Sequence, residues 1–290
     1  LPGPALWFGG KSNWQLPHIL RVLPRTPVFV EPYGGAGSVI LSKEPVEVEV
    51  YNELDERLVN LMNAIKDPVR FHKLYHRAYF SLYSREEFVK ALDIMANSND
   101  EDDKAYAFFI LQNQGYGGIS TLPGHWGRAF TSDKSVAKKV RTFYLRVDRI
   151  PRQHERLQNI NIYEKDALDI IAAYDSIHTC MYLDPPYTPK SRVNKKVYKV
   201  DQDAEHHKKL VKLILNCDSA IILSGYKDEL YNPLEKAGWD KIERNTAASS
   251  SARNRGMKTL GTGSLLKHVP RTEVVWRNQR AVQLLKDQAE

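Results

Sequence analysis

Cysteine is scarce in this sequence, with two residues, Cys180 and Cys217, in a chain of 290. Two thiols make no disulfide framework and show no zinc-ligand spacing. Each falls in an apolar stretch where a buried thiol is the expected state. Long apolar runs are missing too, so nothing reads as a membrane-spanning helix, and the amino terminus lacks the basic-then-apolar pattern of a signal peptide. These absences lead us to expect a soluble, intracellular protein. The first residue is Leu1 rather than Met, which suggests a trimmed chain. The adjacent His206 and His207 have no helically spaced partner for a metal and read as a solvated helix end. Acid is in deficit: 35 Asp and Glu against 42 Lys and Arg leave a net charge of +7. With 15 Tyr, 5 Trp and 9 Phe alongside, this surface fits a polyanionic partner, although many basic proteins bind no nucleic acid. The length accommodates one large domain with an insert, or two domains.

What is present is organised around Asp184-Pro185-Pro186-Tyr187, which closes the apolar run from His178 to Leu183. That run reads as a buried strand, and two prolines cannot continue its ladder, so the chain must leave the sheet there. Asp184 and Tyr187 are then left at a strand's carboxyl end, where open α/β sheets bind ligands. Pro185 and Pro186 donate no N–H, so nearby carbonyls stay available to a substrate amino group. Asp184 adds a second acceptor and Tyr187 a flat face for a base. Two acceptors on an exocyclic amino group aim its lone pair at an electrophile, which is the chemistry of alkylating a ring-borne nitrogen. The competing reading of the string alone is a Pro-rich turn after a core strand.

The rest of the chain narrows the choice. Near the start, Trp7 and the Gly9-Gly10-Lys11 turn lead into a helix through Leu16, Ile19, Leu20 and Leu23. Strand Pro27–Glu31 runs into Pro32-Tyr33-Gly34-Gly35-Ala36-Gly37 and then a helix, the arrangement in which a first βα loop wraps a nucleoside-bearing ligand. No Lys-Ser/Thr follows, which disfavours ATP, and the glycine spacing departs from the dinucleotide fingerprint, which disfavours NAD. A second strand, Val46–Val50, is followed by Glu53, an acid placed to hydrogen-bond a ribose diol or, alternatively, a plain helix-start charge. After Asp67-Pro68 the pattern turns helical and irregular to about residue 150. There a core helix passes into a polar glycine loop, from Gln112 through Gln114 and Tyr116 to Gly118, followed by Arg128. A helix from Lys134 is expected to turn Val136, Val140 and Val147 inward and Lys138, Lys139, Arg141 and Arg146 outward, a surface for phosphates or merely a solvated face. The α/β pattern then resumes with strand Asn161–Glu164, Asp166 at its end, the strand into Asp184, and strand Ala220–Leu223. Residues 245 to 266 read as a long hairpin tip, with Arg271–Trp276 as its return strand.

Taken together, Trp7-x-x-Gly10-Lys11, Phe29-Val-Glu-Pro-Tyr-Gly-Gly-Ala-Gly37 and Asp184-Pro185-Pro186-Tyr187, in that order, resemble the DNA adenine-N6 methyltransferases of the DNA adenine methylase (Dam-type) family. The likeness covers nearly the whole chain. It implies a Rossmann-like α/β methyltransferase fold, with residues 1-67 and 151-290 as the catalytic domain and 68-150 as a mainly helical target-recognition insert. It further implies that Trp7 and Lys11 help hold S-adenosylmethionine and that Glu31, Tyr33 and Gly35 line its pocket. Glu53 takes the place of a ribose-binding acid that is usually Asp, and Asp166 contacts the donor's adenine end. Asp184, Pro185 and Pro186 would meet the target amino group, with Asp184 also bordering the donor and Tyr187 stacking on an adenine flipped from the duplex. Gln112, Gln114, Tyr116, Arg128, Lys138, Lys139 and Arg141 are the DNA-contact candidates. Their loop departs from the family's Asn-rich version, so the recognised site does not carry over. The expected partner is double-stranded DNA, with a cognate restriction enzyme left open, in a prokaryotic or phage-derived cytoplasmic setting. The alternatives are cytosine-N4 or RNA adenine methylation, or a catalytically silent DNA-binding protein of the same fold. A glutamine-modifying enzyme would carry Asn where Asp184 stands. A purely structural basic protein is the remaining rival.

Overall fold

The computed structural model describes residues 1–5, 15–116, 122–128, 132–133, 136–186, 204–247 and 270–289. Its frame is a seven-stranded sheet in the order β5 (Ile160–Tyr163), β2 (Val48–Asn52), β1 (Val28–Glu31), β6 (Thr179–Leu183), β7 (Ala220–Tyr226), β9 (Pro270–Arg277), β8 (Asp240–Ala247). The first five strands are parallel, and β9 runs antiparallel to both β7 and β8. Every residue of β6 is buried, as parallel strands covered on both faces require, which is why its sequence is continuously apolar rather than alternating.

Successive side chains leave the strands on opposite faces and build two cores. Phe29, Tyr51, Cys180, Tyr182 and Ile222 face one way, Val30, Val50, Met181, Leu183, Ile221 and Leu223 the other. The second face is covered by α8 (Ala167–Tyr174), α9 (Ala204–Ile214) and α10 (Asn232–Lys236). The first face shares one continuous core with α2 (Glu56–Lys66), α3 (Pro68–Tyr79), α4 (Arg85–Asn97), α5 (Glu101–Gln114), α6 (Lys138–Val147) and α7 (Ile150–Leu157). These helices start where the sequence supplies a side-chain cap: Asp55, Asp67, Ser84 and Asp100 each accept from a backbone N–H of the first turn. Helix α5 is buried without interruption from Ala105 to Gln114, the state of a helix that is enclosed rather than amphipathic. Two smaller helices, α1 (Leu16–Arg21) and α11 (Gln279–Asp287), flank the sheet.

A buried ion cluster fastens the first core to the sheet. Glu49 on β2 is 1 % exposed and takes Lys43 Nζ at 2.6 Å and Arg156 Nη2 at 2.7 Å. Arg156 also donates to the Ile40 carbonyl at 2.9 Å, so α7 holds the chain between β1 and β2 from behind.

Several boundaries differ from expectation. After β1 the glycine turn leads into consecutive turns over 38–42, not a regular helix, because bonds such as Leu41 N to the Gly37 carbonyl stop after one turn. Strand β2 reaches Asn52 and β7 reaches Tyr226. Helix α6 begins at Lys138 rather than Lys134, because 132–133 and 136–137 pair as a short antiparallel ladder, β3 and β4. The hairpin tip expected over 245–266 lies outside the described residues from 248 on.

Candidate active site

The parallel register brings four strand ends to one edge. Strand β1 pairs with β2 on one side and β6 on the other, so the glycine turn is the immediate neighbour of both the Glu53 end and the Asp184 corner. The connection from β1 leads to β2, whereas β6 returns on the far side. The gap between β1 and β6 is therefore the point where strand order reverses, and open α/β sheets bind ligands there.

Each end is held by its own chemistry. Gly35 and Gly37 have positive φ, 49° and 68°, which β-carbon-bearing residues rarely adopt. The Tyr51 hydroxyl donates to the Gly35 carbonyl at 2.6 Å, and a Cβ on Gly34 would lie 2.2 Å from the Tyr51 ring. The Gly35 amide donates to Glu53 Oε2 at 2.8 Å, while Glu53 Oε1 accepts from Leu54 and Asp55 amides at 2.9 and 3.1 Å. A carboxylate has about four acceptor positions, and donors among the described residues take three of them. Burial nevertheless raises the Glu53 carboxyl above its ordinary value, opposed by those amides. Asn52 ties two loops together, donating to the Pro32 and Lys165 carbonyls and accepting from the Lys165 amide.

Glu31 is 2 % exposed and accepts from the Ile40 amide at 2.9 Å. Burial lifts its carboxyl well above the usual range, and the negative charges of Asp184 and Glu53 add to that. The three acids therefore converge across β2, β1 and β6. Asp166 caps α8 through the Leu168 amide at 2.8 Å and faces Tyr33, whose hydroxyl burial and the Asp166 charge push up. Asp184 in turn acts on Tyr231, raised chiefly by burial. So Glu31, Tyr33, Gly35, Glu53, Asp166 and Asp184 share this edge, with Pro185 and Pro186 directly beyond β6. Trp7, Lys11 and Tyr187 lie outside the described residues. The segments flanking 6–14 do reach this edge: a Cβ on Gly3 would collide with the Ala36 carbonyl, and Gln15 bonds Glu273 on β9.

The expected DNA-facing set divides. Tyr116 is 53 % exposed with Lys139 Nζ 5.1 Å from its ring centroid, and Arg128 and Lys138 are exposed. Arg141 is half-buried on the same helix as Lys138 and Lys139. Gln112 and Gln114 stand apart from these: both are buried on α5, and Gln114 donates to the Leu82 carbonyl at 2.9 Å. The enclosed helix runs two residues past Gln112 before the loop begins. Arg146, expected outward, turns in to Asn113 Oδ1 at 2.8 Å, and burial lowers it to about 10.

Sequence reasoning missed the two histidines of α9. His206 Nε2 lies 2.8 Å from the Tyr33 hydroxyl, and His207 Nε2 lies 3.0 Å from the Pro186 carbonyl. His207 is fully buried, not a solvated helix end. The signal was available: His207, Leu210, Val211 and Ile214 fall at i, i+3, i+4 and i+7, the core stripe of an amphipathic helix.

Comparison with known proteins followed the same lines. Residues 7–244 match the model of the D12 class N6 adenine-specific DNA methyltransferase family. Over 189 residues the chain is 28 % identical to a DNA adenine methylase of Escherichia coli (strain K12), covering 64 % of each chain. A DNA adenine methylase of Salmonella typhi is 27 % identical over the same length, and one of Vibrio cholerae serotype O1 is 27 % identical over 191 residues. The chain thus spans a little under two thirds of the length of the curated relatives it matches. Among the described residues no helix is long and apolar enough to cross a membrane.

Proposed function

Because the chain belongs to the D12 class N6 adenine-specific DNA methyltransferase family, we propose that it transfers a methyl group from S-adenosylmethionine to N6 of adenine in double-stranded DNA. The observation that carries this reading is the convergence of Glu31, Glu53 and Asp184 across three adjacent strand ends. A cation entering this edge would favour the ionised form of carboxyls that burial raises, and a sulfonium donor is such a cation. The tight glycine turn and Glu53 fit its ribose. Trp7, Lys11, Tyr33, Gly35 and Asp166 complete the set proposed to hold it.

When bound, the donor supplies a methyl group whose C–S electron pair passes to sulfur as the N6 lone pair forms the new C–N bond. The protein's part is orientation. Asp184 and a proline carbonyl accept the two amino hydrogens, which turns the lone pair toward the methyl and shares the positive charge that develops on nitrogen. One of those hydrogens then leaves as a proton, toward Asp184 or solvent. Tyr187 is proposed to stack on the adenine once it leaves the duplex, because a base inside the stack is out of reach of an enzyme that does chemistry on it.

Residues 68-150 are proposed as the target-recognition part. Tyr116, Arg128, Lys138, Lys139 and Arg141 offer aromatic and cationic groups together, which suits phosphates and unstacked bases. The test is to incubate the protein with S-adenosylmethionine and duplex DNA, digest the product and identify the modified nucleoside by mass spectrometry. N6-methyladenine is the expected outcome. N4-methylcytosine, methylation of RNA alone, or no product would replace this reading with one of its alternatives. A prokaryotic or phage setting, a cytoplasmic location and a restriction-enzyme partner are part of the proposal and rest on the family alone.

A further inference from the structure

We infer that His207 is a positioning residue that sets the catalytic corner, an inference that rests on the proposed reaction at Asp184, Pro185 and Pro186. The last ladder pair between β6 and β7 is Leu183 with Leu223. Beyond it, two successive prolines have no N–H to donate, so the corner cannot continue the regular ladder. The described contact that takes over is His207, whose Nε2 stands 3.0 Å from the Pro186 carbonyl. A carbonyl only accepts, so Nε2 carries the hydrogen, and in the neutral ring Nδ1 then bears the lone pair. That lone pair faces the Tyr231 hydroxyl at 2.9 Å, which donates to it. The imidazole is thereby held at both nitrogens, fully buried, in one tautomer.

The support behind it is equally rigid. The His207 and Tyr231 rings meet edge to face, with centroids 6.0 Å apart, and Tyr231 lies against Trp276 of β9 at 4.7 Å. The chain from sheet to corner is thus Trp276, Tyr231, His207, Pro186. With the Pro186 carbonyl held by His207, the Pro185 carbonyl and the Asp184 carboxylate are the acceptors proposed for the adenine amino group. His207 touches neither substrate; it acts by fixing the peptide that does.

The test compares His207→Leu, His207→Gln and His207→Asn with the wild type, measuring kcat and KM for duplex DNA, donor affinity by calorimetry, and melting temperature. The Gln amide nitrogen can occupy the place of Nε2, whereas the shorter Asn falls short of the carbonyl. Leu and Asn should lower kcat roughly 100-fold, the scale of a small misplacement of reacting groups. Donor affinity should be unchanged, and Gln should restore most of the rate. Tyr231→Phe should lower kcat by less, in the same direction. The inference is overturned if Leu or Asn keeps wild-type kcat, if Gln fails as badly as Asn while melting like the wild type, or if lost rate follows lost donor affinity. A Leu variant that does not fold leaves the Gln and Asn comparison to decide. Wild-type inactivity on adenine would overturn the functional reading itself, and the inference with it.

Discussion

The two halves of the sheet edge are built differently. On the β2 and β1 side the turn is closed by its own main chain, with amides of Gly35, Leu54 and Asp55 converging on Glu53 and Asn52 stitching two loops. On the β6 side the prolines remove that option, and side chains arriving from elsewhere do the holding: His207 from α9 and Tyr231 after β7. Main-chain closure gives a fixed turn, which suits the proposed donor. Side-chain bracing lets a corner be aimed without being part of the sheet. The proposed reaction needs both, since its donor is constant and its base must enter and leave.

The comparison can be broken at several points. The largest effect is expected from Glu49→Ala, which leaves Lys43 and Arg156 facing each other behind the glycine turn. Removing one partner of such a buried cluster costs about 3–5 kcal/mol, read as a lowered urea midpoint. A loss under about 1 kcal/mol, typical of exposed pairs, would show that the first half does not depend on this support. Next comes Asp184→Ala, where single-turnover transfer should fall by roughly 10²–10³, the scale of deleting one electrostatic stabiliser. Wild-type transfer in that variant would remove Asp184 from the chemistry. Glu53→Ala strands amides that now have an acceptor, and should weaken donor binding by about 1–3 kcal/mol while leaving DNA affinity alone.

A subtler test uses pH. Burial raises the Glu31 carboxyl well above its ordinary 4.5, so the folded state keeps a proton that the unfolded chain releases. The stability this group contributes is full below the ordinary value and is lost as pH rises through the raised one. Glu31→Gln has no such proton. The wild-type stability minus that of the variant should therefore decline with rising pH above 4.5, by at most about 1.4 kcal/mol per pH unit. A flat difference from acid to neutral pH would contradict the burial argument.

How much of this was legible beforehand follows the same division. Most strands of the sheet read clearly because buried parallel strands are apolar runs, whereas the helices between 68 and 150 read only as helical and irregular, their Asp and Ser caps becoming plain in the structure. Glu53 and Asp184 read as acids at strand ends, which gather at one edge of a parallel sheet by topology, while Glu31 entered the set through the family resemblance alone. What did not follow depended on packing between distant segments. Gln114 reads as loop because it precedes Gly115, yet α5 is enclosed to its last residue. Arg146 reads as outward because it is charged, yet Asn113 waits for it inside. His207 was on its helix's apolar stripe all along, and the Pro186 carbonyl and the Tyr231 hydroxyl account for a polar ring there.

The most direct trial of the account is calorimetric titration of S-adenosylmethionine into Glu53→Ala and Tyr187→Ala, with transfer to duplex DNA measured alongside. Glu53→Ala should bind the donor weakly, whereas Tyr187→Ala should bind it like the wild type and yet fail to methylate. Equal donor affinity in both variants, or full methylation by Tyr187→Ala, would contradict a pocket divided between donor and base.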